Sequence, residues 1–377
     1  MTQSIIIVGA GFAGWMTAAT LSHYYPKKKI TVIDSGINYD DIDITGTTFS
    51  LLLTRLGLDE SFLDYLSQFA KPNESLTFRD FHKVGSQVTD PEFGYVIDTA
   101  KFAEWLKNNY CLQRGVMLIK GDVVDISGTP LGIESLKIKL GDNPLSDPMV
   151  ITGDLYIDCS GINRTLCNAF GGDLEWVDYQ NYLPTNRALS ARVRGSRRNG
   201  VITALQYGWA WDLPMQGYRS VGYCYDNTLI SEEHAKDELC SFLQVFDDEL
   251  ECKDIPMQVG ILDKPWYKNM VAIGSSCAFV EHMHSLVLVP DFLRVLVNNL
   301  RRERFTQWDR DCFNKSVLKL YEDYANLAIF KYTLSVRNDS QFWWKVTETP
   351  YLTMQDNPVS DLHKILESTY IRDKIHD

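Results

Sequence analysis

The sequence of 377 residues predicts an α/β fold in which a parallel sheet is joined to an interleaved antiparallel sheet and followed by a helical C-terminal region. Three observations carry this prediction. Ile5-Ile6-Ile7-Val8 is a short, fully apolar run, the pattern of a buried parallel strand, and it enters a glycine turn and then an Ala- and Leu-rich helical stretch that reaches Tyr24. Residues 186 to 226 alternate apolar and polar, as antiparallel strands with two unlike faces do. Beyond Pro290, Leu293, Leu296, Val297 and Leu300 fall at helical spacing.

The remaining elements follow in order. Lys29 to Asp34 reads as the second strand, residues 35 to 50 as a polar, acidic loop, and Leu51 to Phe69 as helical. Tyr95 to Asp98 is a strand leading into a helix that reaches Asn109, and Val116 to Asp125 and Leu136 to Leu140 are strands. Asp154 to Asp158 is another strand, closed by Cys159-Ser160-Gly161, and Val271 to Gly274 is a late, short buried strand. The expected organisation is a discontinuous nucleotide-binding unit (1–165 with 265–290), a unit over 166–264 that carries the antiparallel sheet, and a helical region over 291–377.

Composition narrows the function classes. Apolar residues make up 45% and charged residues 23%, as in ordinary globular proteins. The net charge of −12 repels nucleic acid and anionic membranes, so neither is expected as a partner. No apolar run approaches the roughly 20 residues needed to cross a bilayer. With no signal-peptide pattern at the N-terminus, a cytoplasmic location is expected. The eight cysteines form no C-x-x-C and no zinc-finger spacing, so they read as reduced, mostly buried thiols. An aromatic content of 12% suits a protein that sandwiches a flat ligand.

The strongest local motif is Gly9-Ala10-Gly11-Phe12-Ala13-Gly14. It has a strand before it, a helix after it and an acid, Asp34, about twenty residues further on. In such a Rossmann-like unit Gly9 permits the tight turn, Gly11 lets a pyrophosphate reach the backbone, and Gly14 lets helix and strand pack closely. The helix N-terminus offers free N–H groups and a positive dipole end to the phosphates, and Asp34 would accept hydrogen bonds from a ribose hydroxyl. The motif alone does not separate FAD from NAD. Two later features favour FAD: the apolar strand ending in Asp158-Cys159-Ser160-Gly161, which would return beside the adenosine half, and the strand ending at Gly274, which leads into a further apolar helix.

Gly208-Trp209-Ala210-Trp211-Asp212-Leu213-Pro214 resembles the W-x-W-x-I-P hallmark of the flavin-dependent halogenases, the tryptophan halogenase family, with Leu213 in place of Ile. Four more stretches are similar to that family's motifs: Gly11 to Ala19, Ile157 to Gly161, Asn269 to Gly274 with Phe279-Val280-Glu281, and Ser335 to Trp343. The resemblance therefore runs from residue 5 to about 345, in the family's order. It implies halogenation of a small, electron-rich aromatic substrate. FADH2 supplied by a separate flavin reductase would react with O2 to a flavin hydroperoxide, halide would be oxidised to hypohalous acid, and a lysine ammonium beside a glutamate would deliver the halogen. Trp209 and Trp211 would wall the flavin chamber from the substrate. Gly9, Gly11, Ala13, Gly14, Asp34, Thr48, Val123, Asp158, Ser160, Gly161 and Gly274 would contact the cofactor. Backbone N–H groups around Ser285, Leu286 and Val287 would hold the halide ion, a co-substrate.

Departures from the family pattern shape the expectation. Asn73 stands where the family carries its lysine, and Lys71, two residues earlier, is the candidate replacement. In Glu281-His282-Met283-His284-Ser285 the first family glutamate is kept as Glu281, and the second is replaced by His284, an acid–base group near neutral pH. His282 and His284 lack a third ligand in view, so no metal is assigned. Of the family's early flavin-contacting loop only Thr48 is kept. Substrate-clamping aromatics of the tryptophan-handling members lie beyond the point where this sequence ends, which predicts a substrate other than free tryptophan. The alternatives are a flavin monooxygenase, or a degenerate flavin-binding protein, that has lost halogenation. A plain NAD dehydrogenase is disfavoured because nothing supports a nicotinamide-facing catalytic domain.

Overall fold

The computed structural model describes residues 4–36, 42–44, 47–58, 70–72, 75–90, 95–141, 147–246, 250–282, 285–300 and 305–347. Ser4–Val8 is the centre of a six-stranded sheet. It pairs in parallel with Lys29–Asp34 on one side and Leu155–Asp158 on the other. Met117–Lys120 and Met270–Ala272 extend the parallel sheet outward, and Trp266–Tyr267 closes one edge antiparallel. The strands are apolar because both faces are covered: Ile5, Ile7, Val32, Leu155, Ile157 and Val271 have no solvent exposure. Register aligns the carboxyl ends, with Val8 level with Ile33 and Asp158, and Asp158 level with Ala272. In open sheets of this kind, ligands bind in the crevice outside those ends, where the strand order reverses.

The helix Phe12–Tyr24 follows the glycine turn and buries Trp15, Met16, Ala18, Ala19 and Leu21 together with Thr17 and Thr20. Burial nearly all round explains its run of small residues. Asn269 joins the hairpin formed by Asp122–Thr129 and Gly132–Lys139 to the sheet. Its side chain accepts from the Ile133 N–H and donates to the Ile133 carbonyl, both at 2.8 Å, as a strand backbone would.

A seven-stranded sheet holds the W-x-W strand, Gly208–Pro214, between Gly200–Ala204 and Tyr218–Tyr225. Alternation divides this strand between two cores. Trp209, Trp211 and Leu213 join the main core, while Ala210 faces a smaller one with Leu189, Val221, Tyr223 and the helix Glu232–Leu243. Leu76–Arg79 and Gln87–Asp90 also belong to this sheet, the first paired in parallel with Gly200–Ala204. The sequence placed residues 76–90 in the nucleotide-binding unit. A four-residue strand carries no local mark of its partner, so this sheet membership is not legible in the sequence.

Two other local expectations change. Within the stretch read as loop, Ile42–Ile44 pairs with Tyr95–Asp98 and a helix begins at Thr47, where acidic and polar composition masked both. The apolar helix expected after Pro290 begins at Ser285 and contains that proline, which removes one rung of the ladder without ending the helix. The long helix Gln307–Thr333 starts with a capping box between Thr306 and Asp309. The late S-x-R-x-D-S-x-F-W motif docks the end of the described chain onto the antiparallel sheet. Arg337 donates to the Ala204 carbonyl at 3.0 Å, and the Trp343 indole N–H donates to the Leu205 carbonyl at 2.6 Å. Among the described residues no helix is long and apolar enough to cross a membrane.

Candidate functional site

The glycine turn opens onto a cleft of about 330 Å³ at the carboxyl ends of the parallel strands. Gly9 has φ +108°, and a Cβ there would stand 2.2 Å from the Cys159 carbonyl oxygen. A Cβ on Gly14 would stand 1.9 Å from the Gly9 carbonyl oxygen, so helix and turn touch backbone to backbone. Gly11 is different: its Cβ would meet nothing within 4 Å, because it faces the open cleft. The helix Phe12–Tyr24 has no side-chain cap at its N-terminus, which leaves its first amides to a ligand. This is a cradle shaped for a nucleotide diphosphate, and the residues present fit a dinucleotide such as FAD.

Of the residues the sequence nominated for the cofactor, Gly9, Gly11, Ala13, Val123, Ser160, Gly161 and Gly274 line the cleft. Gly14 packs behind the turn, and Gly274 packs against Ala13, whose Cβ lies 2.8 Å from where a Cβ on Gly274 would be. Asp34 ends its strand between the lining residues Ile33 and Ser35, and one carboxylate oxygen accepts the Gly36 N–H at 2.8 Å. Thr48 lies in the helix Thr47–Arg55. Thr99, Asp122, Asn163, Thr165, Ser275 and Val289 also line the cleft. Sequence reading missed these; all but Asp122, which falls inside the strand predicted over Val116 to Asp125, sit just past, or in the element following, a predicted strand.

Asp158, nominated for the cofactor, turns its carboxylate inward. Its carboxylate is fully buried and committed to the protein's own chain. Oδ1 accepts from the Ser160 N–H at 3.0 Å, the Ser160 hydroxyl at 2.6 Å and the Ser276 hydroxyl at 3.0 Å. Oδ2 accepts from the Leu166 and Cys167 N–H groups at 2.7 and 3.0 Å. Asp158 thereby fixes two cleft-lining segments, the one at Ser160-Gly161 and the one at Gly274-Ser275, from behind.

A second cluster surrounds the paired indoles. Trp209 and Trp211 are fully buried, with ring centroids 6.2 Å apart. The Trp209 indole N–H donates to the Tyr332 hydroxyl at 2.8 Å, and that hydroxyl donates to Glu281 Oε2 at 3.0 Å. Lys331 forms an ion pair with Glu281 Oε1, and its ammonium lies 4.3 Å from the centre of the Trp209 ring. Burial, and then the Glu281 charge, push the Tyr332 hydroxyl well above the usual tyrosine range, so it remains a donor. The His282 ring stacks on Trp211 at 4.1 Å between centroids, tilted by 33°. The helix Ser285–Asn299 begins three residues later and brings Val289 to the cofactor cleft, so one short stretch of chain connects the two clusters. Ser285, Leu286 and Val287 form its first turn. His284 and Asn73 lie outside the described residues.

Lys71, the candidate replacement lysine, is placed elsewhere. Its Nζ donates to the Arg197 carbonyl at 2.7 Å, and Arg197 pairs with Asp212, which alternates to the face of the sheet away from the indoles. The lysine found on the indoles is Lys331, which comes from the long C-terminal helix. Nothing in the local sequence Phe330-Lys331-Tyr332 marks it out, since Glu281 and Trp209 lie 50 and more residues away.

Fold and cleft together define an α/β flavoprotein with a dinucleotide-binding turn. A family model described as "Tryptophan halogenase" matches residues 4–63 and 51–363, and the chain belongs to this family of flavin-dependent halogenases. Among its relatives, the 7-chloro-L-tryptophan 6-halogenase KtzR of Kutzneria sp. (strain 744) is 29% identical over 260 residues, covering 67% of this chain and 49% of the relative. The tryptophan 6-halogenase SttH of Streptomyces toxytricini is 30% identical over 271 residues, 68% of this chain and 49% of its own. The matched stretch thus spans about half the length of these curated relatives. Solved structures agree in fold. VirX1 superposes with a TM-score of 0.87 at 22% identity, covering 97% of this chain and 84% of that one. The SttH structure superposes with 0.84 at 22%, covering 94% and 83%.

Proposed function

We propose that this protein carries out FADH2- and O2-dependent halogenation of an electron-rich aromatic compound. The observation that carries the reading is the pairing, in one molecule, of an open diphosphate cradle at Gly9–Gly14 with a buried W-x-W pair. Bound reduced flavin would supply the electrons that let dioxygen turn halide into an electrophilic oxidant. The chain's own part is to bind, orient and exclude water. The amides after Gly11 hold the diphosphate, and Asp158 fixes the cleft walls from behind. The first-turn amides at Ser285, Leu286 and Val287 offer an anion site for halide. Glu281, anchored by Lys331 and Tyr332, sets the position of the segment that leads into that turn. His284, which precedes Ser285 in the sequence, is the proposed acid–base group. Lys71 is not proposed as the halogen-delivering ammonium, because its Nζ is held on the Arg197 carbonyl.

A second reading, a flavin monooxygenase, is favoured by Asn73 and His284 standing where the family carries lysine and glutamate. One experiment separates them. The protein is incubated with FAD, a flavin reductase, NADH, chloride or bromide and a panel of phenols, indoles and pyrroles, and products are read by mass spectrometry. Halide-dependent mass gain with the halogen isotope pattern is expected. Oxygenated product independent of halide selects the second reading, and no product from FAD-loaded protein sinks both.

A further inference from the structure

The indoles of Trp209 and Trp211 are themselves electron-rich rings, the class of molecule that hypohalous acid attacks. We propose that Lys331 and His282 guard these two rings against halogenation by the oxidant the site produces; this rests on the functional reading above.

The reaction to be avoided is simple. In chlorination by hypochlorous acid an indole carbon forms a C–Cl bond as the O–Cl bond breaks. The ring proton leaves, and it combines with the departing hydroxide to give water. Between the two steps the ring carries a positive charge, and the electrophile must reach a π face. Lys331 blocks both requirements at Trp209. Its ammonium lies over the ring, 4.3 Å from the centroid, where it occupies the approach and repels a ring that is gaining positive charge. The ion pair with Glu281 holds it there, and the Tyr332 hydroxyl ties the same carboxylate to the indole N–H. Trp211 is closed sterically. His282 stacks on it at 4.1 Å, and the backbone at Gly222 lies so near that an added Cβ would meet its Cζ2 at 2.1 Å. The guard residues come from two segments, 281–282 and 331–332, that share the Glu281 carboxylate.

The molecule contains its own controls. Trp308 and Trp344 are 69% and 58% exposed and report the reactivity of unguarded indoles, whereas Trp266, 1% exposed in another part of the core, reports unfolding. The full-length protein is treated with a few equivalents of reagent hypochlorous acid, and chlorination at each tryptophan is quantified by peptide mass spectrometry. Wild type is expected to be labelled at Trp308 and Trp344 and spared at Trp209 and Trp211. K331L should raise the label at Trp209 by tenfold or more with Trp266 still unlabelled, H282L should do the same at Trp211, and K331R should restore protection of Trp209. If K331L does not fold, the E281L/K331L pair removes both buried charges together and keeps an apolar core; it should show the same gain at Trp209. Equal sparing of Trp209 in a folded variant lacking Lys331 overturns the proposal, because burial alone would then protect the ring. A parallel arm with flavin reductase, NADH, FAD and chloride reads the function itself. Absence of chloride-dependent product there overturns the functional reading and with it the guard against a self-made oxidant, while the reagent arm separately reads whether Lys331 and His282 shield the rings.

Discussion

Gly222 shows how a single residue serves the site without touching any ligand. It lies opposite Trp211 in the strand register, and a Cβ would meet the Trp211 ring at 2.1 Å and the Leu189 carbonyl oxygen at 2.2 Å. The second collision is with backbone, so side-chain rearrangement cannot relieve it. Gly222→Ala should therefore cost about 3 kcal/mol by overpacking and lower the melting temperature by several degrees. Loss of the His282–Trp211 stack should appear as a shift in tryptophan fluorescence. A variant that melts with wild type would contradict this account of the strand. The glycine turn makes a parallel point: three glycines of one motif do three jobs, strain at Gly9, packing at Gly14 and open space at Gly11.

At the scale of elements, Asp158 does the joining. It closes the strand Leu155–Asp158 and accepts five hydrogen bonds from four other residues, Ser160, Leu166, Cys167 and Ser276. Two segments distant in sequence, around 160 and around 275, thereby become two walls of one cleft. Replacement by alanine would leave buried donors without an acceptor, at a cost of about 3 kcal/mol or more. The expected outcome for Asp158→Ala is a lower denaturation midpoint and at least tenfold weaker flavin affinity, measured by titration of the flavin absorbance. Stability lost with unchanged affinity would mean that the walls stand without the carboxylate. This interior role was hidden in the sequence. The stretch Ile157-Asp158-Cys159-Ser160-Gly161 marks the strand end and its place near the cofactor, but it does not record that the carboxylate turns inward onto Ser160, Leu166 and Cys167 and, more than a hundred residues later, Ser276.

At the scale of the molecule, the interior is rich in groups that release a proton only at high pH. Burial pushes the Cys111 thiol up to about 12, and pushes Cys159, Cys167, Cys277, Tyr223, Tyr321 and Tyr332 upward as well. The ordinary values are 9.0 for cysteine and 10.0 for tyrosine. An unfolded chain releases these protons near the ordinary values, while the folded chain keeps them. Stability from this source is complete below pH 9 and is lost as pH rises from there through 12. Thermal melts in the presence of a thiol reductant should fall steadily between pH 9 and 11. Cys111→Ala should flatten that decline while costing stability at pH 7. A melting temperature independent of pH across this range would contradict the burial of these groups.

By itself the sequence determined the parallel strands, the glycine turn with its helix, the indole-bearing sheet and the family. Each rests on contiguous residues whose spacing carries the physics: an apolar run for a strand covered on both faces, three glycines for a phosphate, alternation for a two-faced sheet. Tertiary structure alone decided that residues 76–90 join the indole sheet, that Asp158 faces inward, that Lys71 is held on a carbonyl, and that the lysine against Trp209 is Lys331. Each of those outcomes rests on at least one pairing 50 to 126 residues apart in sequence, where burial and hydrogen bonding choose the partner and no local pattern records the choice.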